Sequence, residues 1–334
     1  MATIGDVARE AGVARSTVSA VLTGRKLVMP ETRARVEAAI AKLDYTVNSG
    51  ARALATSRTM TLGLVVRFHE AEFSPALATY IVAVTDAARS HGYRVLLLTD
   101  FDGAEAIRTV VRTRQVDGLV LLSVVEDDPR IPPLVDNEFP SVLIGMPSTP
   151  SGVDAVDLDF AAGARVLVDH LADAGHRDAT FITWPDEIYL SGRTYASHFR
   201  DACVAEAARR EMRLSLEPCP VGPDQVRGAL RKIFGSGDRP TAVVVHNDGA
   251  VAMLPMVLQE LGLRVPEDCS VVSLHSAELA RQFAIPYTAV ESQPEFVATG
   301  AVERLAHRLE SGPLAAATIL VPPVLTVRDS VAQA

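Results

Sequence analysis

Beyond residue 59 the chain repeats one rhythm, and that rhythm narrows the fold more than any other feature. Short apolar runs appear as TLGLVV at 61–66, RVLLL at 94–98, GLVLL at 118–122 and SVLI at 141–144. Helical periodicity is expected between them, over 77–92 and 105–114. After 157–159 the rhythm restarts, with ATFI at 179–182, LSL at 214–216, AVVV at 242–245 and SVVSL at 270–274. Helices are expected over 161–174, 194–211, 224–234 and 250–261. Strands that are apolar at every position are buried on both faces, as in parallel sheets covered by helices. Two rounds of the pattern predict two lobes of α/β class, each with a doubly wound parallel sheet.

The first 58 residues break the rhythm and carry another charge. Of 32 Lys/Arg and 41 Asp/Glu in the chain, this segment holds nine and five, leaving 23 and 36 for the remainder. The head is therefore +4 and the body −13, a split that suggests a polyanionic partner for the head alone. Hydrophobic residues at 48% and charged residues at 22% are ordinary for a globular protein. No apolar stretch is long enough to span a membrane. The start has neither a basic segment nor a long apolar core, so no signal peptide is expected, and the expected location is cytoplasmic. Cys203, Cys219 and Cys269 are odd in number and far apart. They predict reduced thiols rather than a disulfide framework or a zinc site.

Within the head, Ile4, Val7, Ala8 and Ala11 fall at helical spacing. Gly12 ends that helix, and a second places Val18, Val21 and Leu22 on one face before Thr23 and Gly24. A third begins near Pro30, a residue suited to a first helical turn, with Val36, Ile40 and Leu43 inward. Two short helices joined by a turn, supported by a third, form a helix-turn-helix headpiece.

The run TIGDVAREAGVARSTVSAVLTG at 3–24 resembles the headpiece signature of the LacI/GalR family of bacterial regulators. The likeness continues through ETRARV at 31–36, AIAKLDY at 39–45, and Asn48 to Leu54 and Ala55. It implies a sequence-specific, DNA-binding transcriptional regulator, with repression as the family's commonest mode. The second helix would enter the major groove and present Arg15, Ser16 and Ala20 to base edges. Arg15 would either read a guanine or hold a phosphate. Thr3, Thr17, Ser19, Thr23, Lys26 and Tyr45 are candidates for contacts that set register on the backbone, with Thr17 and Ser19 alternatively mere solvated surface.

Residues 47–58 match the family's hinge helix, which orders on operator DNA. Asn48 and Arg52 would lie at the DNA, and Leu54 would wedge into a base step from the minor groove, unless it is an ordinary linker residue. Two departures stand out: Val47 replaces the family's proline, and Gly50 lies inside the expected helix at a cost of about 1 kcal/mol. Two hinges meeting at one step imply a homodimer on a near-palindromic operator. The chain after Thr326 is too short for a tetramerising heptad segment, which again predicts a dimer.

The body also resembles the family, whose sensor is like a type I periplasmic sugar-binding protein. The supporting runs include RQVDGLV at 114–120, HLADAGH at 170–176, Asn247-Asp248 and LRVPED at 263–268. The expected domains are a headpiece at 1–46, a hinge at 47–58 and an effector-binding and dimerisation domain at 59–334. Lobe 1 is expected over about 59–158 and 290–319, and lobe 2 over about 159–289 and 320–334. By the same resemblance a small carbohydrate-like effector binds between the lobes, at the carboxyl ends of the strands.

Carried over position by position, Arg193 stands at the family's ligand-clamping arginine. Asp248 is either a ligand residue or a helix cap. Phe73 and Phe160 fall on closing loops, and Trp184 and Tyr189 on the loop before Arg193. His275, followed by Ser276, replaces the expected ligand-binding aspartate, and Phe160 breaks the Asp-Asn pair at the first crossover. An imidazole near an arginine predicts a pocket tolerant of anions; alternatively the pocket is degenerate and the regulator is effector-free or protein-signalled. No cofactor and no metal are expected. No dinucleotide, Walker, G-x-S-x-G or H-E-x-x-H motif is present, so enzymatic activity is not expected. Asp154, Asp157 and Asp159 suit a lobe crossover better than a metal site, and Asp127-Asp128 reads as a solvated loop.

Overall fold

The structure, a computed structural model, describes residues 2–23, 28–45, 58–67, 75–99, 103–237, 239–275, 277, 286–312 and 314–334. It divides into two units, Met1–Thr59 and Met60–Ala334.

The smaller unit holds helices α1 (Ile4–Ala11), α2 (Arg15–Thr23) and α3 (Pro30–Lys42). Thr3 starts α1 with a reciprocal cap: its hydroxyl accepts from the Asp6 amide at 3.3 Å, while Asp6 accepts from the Thr3 amide at 2.9 Å. Gly12 ends the helix at φ 61°, in the left-handed region where a side chain is strained. Val7, Ala8, Ala11, Val18, Val21, Val36 and Ala39 are buried together as one small core. Lys42 crosses from α3 to Glu10 on α1 at 2.7 Å.

The larger unit contains two six-stranded sheets. The first comprises β1 (Thr61–Val65), β2 (Arg94–Leu98), β3 (Gly118–Leu121), β4 (Ser141–Ile144), β5 (Asp154–Leu158) and β11 (Thr318–Val321). Its neighbour order is β11-β5-β4-β3-β1-β2, parallel throughout. The second comprises β6 (Asp178–Thr183), β7 (Arg213–Pro218), β8 (Ala242–Val245), β9 (Ser270–His275), β10 (Thr288–Glu291) and β12 (Val324–Thr326). Its order is β12-β10-β9-β8-β6-β7, parallel except for β12. Both faces of the central strands of each sheet are covered, whereas the edge strands β2, β7 and β11 are largely exposed. Leu62, Leu64 and Val66 belong to one core and Val65 to another; Ala242 and Val244 likewise separate from Val243 and Val245. That two-sided burial is the reason these strands carry no polar alternation.

Helices α4 (Pro75–Ser90), α5 (Ala104–Thr113) and α6 (Ile131–Asp136) accompany the first sheet. Helices α7 (Phe160–Asp173), α8 (Asp186–Leu190), α9 (Thr194–Arg209), α10 (Pro223–Phe234) and α11 (Asp248–Glu260) accompany the second. The chain passes between sheets three times: from β5 into α7, from β10 into α12 (Pro294–Ser311), and from β11 to β12. Helix α12 packs on α4 and the first sheet. It is anchored by Arg308 and Arg304 to the buried Asp154 of β5, at 2.7 and 3.1 Å. None of the described helices is long and apolar enough to cross a membrane.

Candidate ligand pocket and nucleic-acid interface

Strand ends from both sheets, and the first turns of the helices that follow, enclose a pocket of about 140 Å3. From the first sheet come Ser123 and Val124 after β3, Gly145 after β4, Asp157 near the end of β5, and Tyr80 of α4. From the second come Phe160, Trp184, Tyr195, His246, Asp248 and Leu274, with Ser292 at the crossover after β10. Gly145 forms wall at φ 130°, and a Cβ there would come 2.7 Å from Val124 Cβ.

The floor in the second lobe is aromatic. The His246 ring lies 4.4 Å from Phe199 and 5.9, 6.0 and 6.1 Å from Trp184, Tyr195 and Phe160, centroid to centroid. Burial pushes its imidazole down to about 3, so it is neutral at physiological pH. Asp157, 4% exposed, is pushed the other way by burial, up to about 7. Its Oδ1 accepts from the Leu158 amide at 2.9 Å. Four buried polar atoms of lining residues have no hydrogen-bond partner among the described residues: Asp157 Oδ2, Trp184 Nε1, His246 Nδ1 and Ser292 Oγ. Buried polar groups in proteins are usually satisfied, so these four atoms make the pocket a candidate site for a polar ligand.

Behind the wall, Ser123 sits at φ 54° and is clamped. Arg130 Nη2 donates to the Leu122 and Ser123 carbonyls at 3.0 and 3.2 Å, and Arg193 Nη1 to the Ser123 carbonyl at 2.9 Å. Arg130 also forks onto Asp128, Nε to Oδ1 at 2.9 Å and Nη2 to Oδ2 at 2.6 Å. Burial would raise the Asp128 carboxyl, but the Arg130 hydrogen bonds and charge outweigh it and hold it below its ordinary value. Asp128 is thus 4% exposed, which corrects its reading as part of a solvated loop. Asp127-Asp128-Pro129 looks like surface until Arg130 folds back.

The effector residues expected from the sequence therefore divide. Phe160, Trp184 and Asp248 line the pocket. Arg193 is fully buried and turned onto Ser123, outside the lining. Tyr189 packs behind Trp184 with the Arg200 guanidinium 4.2 Å above its ring. His275 ends β9 buried, next to Leu274, which is the residue of that strand facing the pocket. Phe73 and Ser276 lie outside the described residues. The anion-tolerant pocket expected from Arg193 and His275 is not what forms: the described lining holds two carboxylates, a neutral imidazole and no Lys or Arg. Sequence reasoning passed over Tyr80, Ser123, Asp157, Tyr195, His246 and Ser292. The signal for Asp157 and His246 was position, since each lies at the carboxyl end of a strand.

In the small unit, α2 exposes Arg15 and Ser16 and half-buries Thr17, Ser19 and Ala20. The Arg15 guanidinium lies over Gly5 of α1, its Nη2 2.8 Å from where a Cβ would stand. Thr3 is occupied as the α1 cap, and Tyr45 packs on the small core. The Thr23 side chain, Lys26, Asn48, Arg52 and Leu54 lie outside the description.

Among known proteins, residues 3–48 match the family described as bacterial regulatory proteins, lacI family, and residues 168–331 match a periplasmic binding protein-like domain. The chain is 31% identical to the HTH-type transcriptional repressor PurR of Edwardsiella ictaluri, covering 99% of this chain and 97% of that protein. It is 30% identical to the HTH-type transcriptional regulator CelR of Thermobifida fusca, covering 98% of each. Its fold matches a transcriptional regulator CelR–cellobiose complex with a TM-score of 0.69 at 27% identity, over 99% of this chain and 100% of that one. It matches the lac repressor dimer bound to operator and the anti-inducer ONPF with a TM-score of 0.84 at 24% identity, over 99% of each chain.

Proposed function

We propose, from the premise that this chain belongs to the lacI family of bacterial regulatory proteins, that it is a cytoplasmic homodimeric repressor released from or fixed to its operator by a carbohydrate-like effector. The protein is a ligand-controlled, DNA-binding transcriptional regulator. What goes further is the assignment of parts: residues 1–46 as headpiece, 47–58 as hinge, and 59–334 as sensor and dimerisation domain. One observation carries the effector reading. Four buried polar atoms without partners converge on one aromatic-walled pocket between two sheets linked by three crossovers. A degenerate pocket would have filled with apolar side chains, because unsatisfied buried polar groups cost about 1–3 kcal/mol each.

Arg15, Ser16 and Ala20 on the outer side of α2 are the proposed base-reading residues, with Thr17 and Ser19 setting register. Leu54 is the proposed minor-groove wedge. Closing of the lobes around ligand would shift the dimer between states in which the hinges meet or separate. No catalytic role is assigned to the pocket, and no group of residues that could hold a metal ion occurs among the described residues. The test is selection of bound sequences from random duplex DNA by the full-length protein. A two-fold symmetric consensus, whose affinity changes when a sugar panel is added, is expected. An asymmetric or absent consensus would sink the dimeric operator reading.

A further inference from the structure

We propose that the effector carries a protonated amine: it is an amine-bearing carbohydrate, whose ammonium group pairs with Asp157 while its ring lies against the aromatic wall. This rests on reading the pocket as a carbohydrate site and adds the charge of the ligand.

The geometry around Asp157 sets the requirement. The carboxylate is 4% exposed, its Oδ2 has no hydrogen-bond partner among the described residues, and its Oδ1 accepts from the Leu158 amide at 2.9 Å; backbone bonds from Leu158 and Met146 favour the ionised form but do not offset burial. The nearest hydroxyl of α4, Tyr80, donates instead to the Ser292 carbonyl at 3.2 Å. The charges of both Asp157 and Glu295 of α12 act on Tyr80, Asp248 of α11 lines the same pocket, and the His246 imidazole is held neutral. No described lining residue is Lys or Arg. Arg193, the cation best placed to enter, is spent on the Ser123 carbonyl. A buried carboxylate without a counter-ion is an expensive arrangement, and a ligand ammonium is the group that removes the cost. Burial raises the free carboxyl to about 7, so it ionises readily once a cation arrives. The rings of Tyr80, Phe160, Trp184 and Tyr195 favour the same charge, since their faces are electron-rich. An anion meets two acids here; a neutral hydroxyl finds hydrogen bonds but leaves the charge imbalance in place.

The test is titration calorimetry of the full-length protein with matched sugars: glucose, glucosamine and N-acetylglucosamine, then cellobiose and the fully deacetylated dimer of glucosamine. The amine member of a set is expected to bind about tenfold or more tighter than its neutral and N-acetylated counterparts. Asp157→Asn is expected to abolish that preference in a protein that still unfolds cooperatively, at a melting temperature no lower than that of the wild type. Neutral members binding as tightly as the amine would overturn the amine assignment and leave the carbohydrate reading standing. Binding by no member would overturn both readings of the pocket. A preference that survives in a folded Asp157→Asn protein would overturn the role of Asp157.

Discussion

Three aspartates within six residues take three different roles. Asp154 anchors α12 through two arginines, Asp159 caps α7 by accepting from the Ala162 amide at 2.8 Å, and Asp157 is left facing the pocket. The difference is partner supply, and it has a measurable sign. The Asp157 carboxyl is raised from 3.8 to about 7, so the folded state holds a proton that the unfolded state gives up between those values. The stability penalty is absent below pH 4, grows toward pH 7 and is full above it, at most about 4 kcal/mol. Asp157→Asn is therefore expected to stabilise the ligand-free protein at pH 8 and not at pH 4, read by urea denaturation at both. Equal effects at the two values would mean that the carboxyl is not raised. Gly5 offers a second residue-scale test. Gly5→Ala places a methyl against the flexible end of Arg15, which swings away at little cost in stability. Operator affinity should drop several-fold with the melting temperature nearly unchanged, if the position of Arg15 matters for DNA.

At the scale of elements, the two lobes are joined by more than their crossovers. Residues 123–126 after β3 meet residues 192–194 before α9. The Glu126 amide donates to the Gly192 carbonyl at 3.0 Å, Val125 and Arg193 form an antiparallel bridge, and Arg193 reaches Ser123. Arg193→Met keeps the volume but removes the bond. It should destabilise the protein by about 2–3 kcal/mol, because part of a buried network loses its donor. Wild-type stability in that variant, measured by denaturant unfolding, would return Arg193 to a ligand role alone. The hinge is the other decisive element. Leu54→Ala is expected to abolish specific operator binding in a gel-shift assay while thermal melting stays as in the wild type; near-normal affinity would remove the wedge. Several elements had no sequence counterpart. The run TILVPPVLT at 318–326, where the family resemblance puts a passage between lobes but no strands were expected, supplies β11 to one sheet and β12 to the other, separated by Pro322 and Pro323. Helix α12, beyond the last expected strand at 270–274, and α6, which carries two prolines in its first turn, have no counterpart among the expected elements.

For the whole molecule, charge and topology determine behaviour. A +4 head beside a −13 remainder favours DNA binding by the head, and the affinity should fall steeply with salt as condensed counterions are released. Binding measured between 50 and 200 mM salt should lose about a hundredfold or more, whereas effector binding among the buried residues of the pocket should change far less. A salt-insensitive operator affinity would contradict phosphate contacts from the head.

The sequence by itself determined the α/β class, the doubled strand–helix rhythm and the helix-turn-helix head, because those follow from local periodicity and caps that any short window contains. It also marked Phe160, Trp184 and Asp248, which stand at strand ends where such folds open. Only the tertiary structure decided which acids are neutralised and which arginines are consumed. Arg193 was legible as a conspicuous cation but not as a partner of Ser123, seventy residues away in sequence. His246 was legible only as the residue before an Asn-Asp pair, not as the centre of an aromatic floor. Charge and polarity belong to the residue; whether they are satisfied depends on neighbours that distant segments bring, and that is where the character of the pocket is set.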